Sequence, residues 1–110
     1  MKIKDMPFTV THWDKEMPDE HKGETGTSFW RTSEAGNVRV RMVEYSAEFA
    51  SDHWCPRGHV LLVLEGELGI ELKDGQKFKL TSGMSFQVSD DEENPHLAYT
   101  ESGAKVFIVD

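Results

Sequence analysis

Between Asn37 and Asp110 the chain breaks into short β-rich runs, nearly all closed by Gly, Asn, Asp or Ser, a recurrence that leaves little room for helices. The runs are Asn37–Tyr45 (NVRVRMVEY), His59–Gly66 (HVLLVLEG), Glu67–Gly75 (ELGIELKDG), Gln76–Gly83 (QKFKLTSG), Met84–Ser89 (MSFQVS) and Ala104–Asp110 (AKVFIVD). In the first, Val38, Val40 and Met42 alternate with Arg39 and Arg41, which predicts a strand with one apolar and one wet face. The step Asp74-Gly75 supplies two residues that tolerate the positive φ of a tight hairpin turn. Leu68, Ile70 and Leu72 are then expected to lie across that hairpin from Phe78 and Leu80. So many strands in 110 residues predict an all-β fold, a closed barrel or double-sheet jelly roll, in one domain spanning 1–110. About the first 25 residues, with Pro7, Pro18 and Gly23 and few apolar positions, read as a peripheral arm.

Charge removes several function classes. Twenty acidic against twelve basic residues give a net charge of −8, which opposes binding to nucleic acid and to anionic membrane surfaces. The longest aliphatic run, Val60–Leu64, is far short of the ~20 residues a membrane span needs. The opening MKIKDMPF has no apolar h-region, so a cytoplasmic protein without a secretory leader is expected. A single cysteine, Cys55, excludes an internal disulfide.

The chemistry concentrates in Asp52–Gly66, DHWCPRGHVLLVLEG. His53, Cys55 and His59 fall within seven residues, two imidazoles and a thiol of the kinds that bind transition metals. In extended chain 53 and 55 share a side, and Pro56 and Gly58 permit the turn that brings His59 back toward them. His59 continues the apolar row of Leu61 and Val63, which sets it inward at the edge of the core. The plain alternative is a polar loop beside a buried thiol, since a lone cysteine is more often packing than ligand. Asp52 either orients an imidazole or caps a turn. Trp30, Trp54, Phe86 and Tyr99 are candidates to line a pocket, and Arg57 and Gln87 to anchor a substrate. His12 and His21, set among charges, are expected in solvent.

These residues resemble the first motif of the cupins. His53, Cys55, His59 and Gly66 occupy its His, His, Glu and Gly slots at matching spacings, with two ligand identities changed. The second motif is less well kept. Gly83 takes its leading glycine, Ser89 stands in the proline slot, the loop to His96 is two residues longer, and Thr100 replaces a frequent Asn. From about Phe29 onward the chain is similar to the small "DHCW motif" cupin fold proteins, here with Asp52, His53, Trp54 and Cys55. The resemblance implies a double-stranded β-helix (jelly-roll barrel) and adds His96, otherwise an ordinary rim histidine, to the ligand set.

The expected metal ligands are therefore His53, Cys55, His59 and His96. Three imidazoles and a thiolate suit zinc first, with iron, nickel or copper as alternatives. Bound by all four, the ion is closed in. With Cys55 swung away it becomes a Lewis-acid or oxygen-activating centre. The expected function is a metal-binding small cupin, either a metal-dependent enzyme of dioxygenase or isomerase type acting on a small molecule, or a metal- or ligand-sensing module without turnover. A homodimer is expected, with the amino-terminal arm available for exchange between subunits.

Overall fold

The β-branched and aromatic runs form nine antiparallel strands in a computed structural model that describes residues 2–110. These are β1 (Asp19–Lys22), β2 (Thr27–Ala35), β3 (Val38–Tyr45), β4 (Phe49–Ala50), β5 (His59–Leu72), β6 (Lys77–Thr81), β7 (Ser85–Val88), β8 (His96–Thr100) and β9 (Ala104–Val109). The one helical segment among the described residues is a single 3-10 turn, Trp13–Lys15.

The strand order β1-β2-β3-β9-β5-β8-β4, with β6 and β7 also on β5, is that of one sheet curled back on itself. β5 makes the curl. Its first half pairs with β7 and β9, and its second half with β6 and β8. The sequence runs His59–Gly66 and Glu67–Gly75, expected as separate strands, are thus one strand with a register shift between Val63 and Glu65. Gly66 at φ +79 lets the chain change sheets without stopping.

The interior between the two sheet halves is filled by Val43, Leu61, Val63, Leu68, Ile70, Leu80, Val106 and Ile108. The Asp74-Gly75 hairpin forms, with Gly75 at φ +98 and the Asp74 carboxylate accepting from the Gln76 amide. Leu68 stands opposite Leu80 and Ile70 opposite Phe78, although Phe78 keeps about half its surface in solvent.

β3 reverses one expectation. Alternation from Val38 sets Arg39 and Arg41 on the wet face, yet Arg41 is only 5% exposed, because Val43 and Tyr45 continue its parity into the interior. The polar face of β3 is the wall of an internal cavity. The segment before β1 lies outside the sheets and is tied to the β2–β3 turn through the Asn37 side chain, which bonds the backbone of Lys2 and Lys4.

A candidate metal and ligand site

Two strand starts bring the site together. His59 opens β5 and His96 opens β8, and their Nε2 atoms face one another at 3.0 Å. His59 points inward with Leu61 and Val63 as its spacing predicts, and its side chain is 8% exposed. The preceding loops are tied together. Cys55 and His96 exchange backbone hydrogen bonds of 2.7 and 3.0 Å, Asp91 N donates to Pro56 O, and Gly58 N to the Asp90 carboxylate.

The imidazole pair opens on a cavity of about 290 Å³, at the lower end of the range for small-molecule pockets. His53, Cys55, His59 and His96 all line it. They are not equally placed. The His53 side chain is 73% exposed and its Nδ1 is 2.7 Å from Asp52, the partnership Asp52 was a candidate for. Cys55 approaches His96 through the backbone. Among the described residues no three His, Cys, Asp or Glu side chains stand close enough to share one ion. Trp30 and Phe86 line the cavity; Trp54 lies instead under the Lys73 ammonium, and Tyr99 covers Gly69 on another surface. His12 and His21 are exposed.

The sequence reading missed a charged cluster behind His59. Asp110, with its side chain 2% exposed, takes a two-pronged bond from Arg39 (Nε to Oδ1 and Nη2 to Oδ2, both 2.9 Å) and one from Arg41 Nη2 at 3.1 Å. Its Oδ2 also lies 3.6 Å from His59 Nδ1 and 3.9 Å from Arg57 Nη1. Strand parity was the available signal: 106, 108 and 110 share a face of β9, as do 39, 41, 43 and 45 on β3.

Burial would raise the Asp110 carboxyl, but the Arg39 hydrogen bonds and neighbouring guanidinium charges outweigh it and hold the pKa below the ordinary value. Arg41 is lowered, chiefly by its own burial. Burial, and next the facing His96, push His59 down to about 4; burial also lowers His96. His59 is therefore a neutral imidazole at pH 7, the form that binds a metal.

That depression has a measurable sign. The unfolded chain takes a proton on His59 near pH 6.5, while the fold resists it until about pH 4, so stability rises with pH across this window. Metal-free protein is expected to lose on the order of 3 kcal/mol between pH 6.5 and 4, read from urea midpoints. His59→Gln should flatten the slope, and an equally steep slope in that variant would assign the effect to another group.

No protein-family model matches the chain, and no curated protein matches it. Solved structures do. A predicted oxalate decarboxylase from Thermotoga maritima is similar at a TM-score of 0.76 and 10% identity, over 92% of this chain and 96% of that one. A cupin-2 domain protein from Shewanella frigidimarina aligns at 0.58 and 23% identity over 74% and 78%. Fe(II) HppE in complex with substrate aligns at 0.74 and 16% identity over 94% of this chain, which spans 60% of that enzyme. The fold is that of a small cupin.

Proposed function

We propose that this protein is a metal-binding cupin whose ion sits on His59 and His96 and faces a small-molecule cavity, where it serves a reaction of dioxygenase or isomerase type. The carrying observation is the 3.0 Å gap between the two Nε2 atoms. Two nitrogens at metal distances of about 2.0–2.1 Å subtend roughly a right angle across such a gap. The donor chemistry fits as well. Both imidazoles are held neutral by burial, and His59 Nδ1, buried and without a hydrogen bond, has the Asp110 carboxylate 3.6 Å behind it. A carboxylate there favours the proton on Nδ1 and leaves the Nε2 lone pair for the ion. His53 and Cys55, on the same cavity wall, would complete the set if their side chains turn inward.

A bound transition metal supplies a Lewis acid or an oxygen-activating centre. The chain's own part is to hold the two imidazoles neutral, to shield the site with Leu61, Ile70 and Phe86, and to leave one side open to a ligand. That open side favours turnover over a sealed structural ion. Zinc is the first choice for the donor set, and HppE, similar in fold, is recorded with Fe(II). The test is elemental analysis of purified protein, followed by titration with Zn²⁺, Fe²⁺, Ni²⁺ and Cu²⁺ after chelation. One equivalent per chain is expected; failure of every ion to bind would remove the reading.

Two further parts of the proposal rest on the surface and the charge. A homodimer is supported by exposed apolar side chains on the amino-terminal segment, among them Phe8 (97% exposed), Val10 and Met17. Sedimentation equilibrium should give twice the chain mass, and Phe8→Ser should lower it. A cytoplasmic setting is supported by the acidic charge and the unpaired cysteine. No helix among the described residues is long and apolar enough to cross a membrane.

A further inference from the structure

The cavity carries charge opposite to the rest of the molecule. Arg39, Arg41 and Arg57 border it with only Asp110 against them, leaving two positive charges in a chain whose net charge is −8. The three arginines are not equivalent. Arg39 spends its fork on Asp110. Arg41 gives Asp110 a single bond, and its buried Nε has no hydrogen-bond partner. Arg57 is 55% exposed and only 3.9 Å from the same carboxylate.

An arginine side chain only 6% exposed with an unmatched donor is a costly feature to keep, because an unsatisfied buried donor loses its hydration for nothing. Its plane is also pinned. The Trp30 ring lies 4.5 Å from the Arg41 guanidinium carbon, and Trp30 is itself fixed by a 2.9 Å bond from Nε1 to Ser28 Oγ. A pinned, desolvated fork with free donor capacity matches the planar two-oxygen geometry of a carboxylate. The remaining wall is apolar, made by Leu61, Ile70, Phe86 and Ile108.

We propose that the cavity binds a small organic monocarboxylate, its carboxylate on Arg41 and Arg57 beside Trp30 and its apolar body against Leu61, Ile70 and Phe86. This names the ligand class of the site described above, and it rests on that reading for turnover only, since the anion contacts involve no metal. A dianion such as phosphate is disfavoured by Asp110 at the same spot and by the apolar wall.

Isothermal titration of the full chain, as purified and after chelation, with benzoate, benzamide and inorganic phosphate tests the idea. Benzoate should bind at least tenfold tighter than benzamide and phosphate in both preparations. Its addition should shift the Arg41 Nε–H resonance in a ¹⁵N-edited NMR spectrum of the wild-type chain. Arg41→Lys, which keeps the charge and loses the fork, should weaken benzoate at least tenfold. Arg57→Gln, a change at an exposed position, should weaken it about threefold while leaving the thermal midpoint in place. Equal binding of benzoate and benzamide, a preference for phosphate, or no binding of benzoate overturns the proposal. Because the chelated protein is included, a failed metal site leaves this test readable, and a failed anion site leaves the metal stoichiometry standing.

Discussion

Replacing His59 or His96 by alanine is expected to lower zinc affinity at least a hundredfold and to bring metal content after dialysis close to zero. The expectation follows from position. These two imidazoles face each other across a 3.0 Å gap, and removing even an outer-sphere partner of a metal-bound histidine commonly costs 10–100-fold. His53→Ala should cost less, because His53 must first give up its 2.7 Å contact with Asp52 and its exposure to solvent. Asp110→Asn should fall between them through the Nδ1 side of His59. Cys55→Ser separates packing from ligation: a ligating thiolate predicts a lost preference for soft ions over magnesium and manganese. If His59→Ala and His96→Ala retain the wild-type stoichiometry by elemental analysis, the imidazole pair is a hydrogen-bonded core feature and the proposed function falls with it.

The order of that series also marks what could be read from residues alone. Strand content, the Asp74-Gly75 hairpin and the inward set of His59 were legible because alternation and turn chemistry are local. The pairing of His59 with His96 follows from motif resemblance; in the ladder His96 stands opposite Leu72, thirteen residues from His59, and only the curl of the sheet brings the two rings together, which no local pattern encodes. Arg39 and Arg41 face inward against the local pattern, in which a strand taken by its first residues looks amphipathic with the arginines outward. The later members of the same face, Val43 and Tyr45, carry the opposite message, and the barrel obeys them. Asp110 escapes a reading by residue because an aspartate ending a strand looks solvated; the hydrogen-bonded guanidiniums of Arg39 and Arg41 offset its burial, with the exposed Arg57 further off. His53 shows how spacing and local contacts can point to different roles. Its spacing from Cys55 and His59 fits a ligand set, yet its first partner is its own neighbour, Asp52.

Gly66→Ala is expected to be a strongly damaging change outside the cavity, costing about 3 kcal/mol or more. Two terms add. At φ +79 any residue with a side chain pays left-handed strain of about 1–2 kcal/mol. The new Cβ would also collide with the Gly103 carbonyl oxygen and sit 3.0 Å from the Ala104 Cα, both backbone, so the β5–β9 pairing must open to admit it. Gly75→Ala is the control. Its φ of +98 imposes comparable strain, but nothing lies within 4 Å of the added methyl, so only the first term applies. Thermal midpoints should fall on the order of 15 °C for Gly66→Ala and less than half as far for Gly75→Ala. Because Gly66 is the corner where β5 leaves one half of the sheet for the other, and His59 lies seven residues away at the start of the strand, the folded fraction should still bind zinc. Equal losses in the two variants would mean that backbone strain alone sets the cost and that the corner can yield.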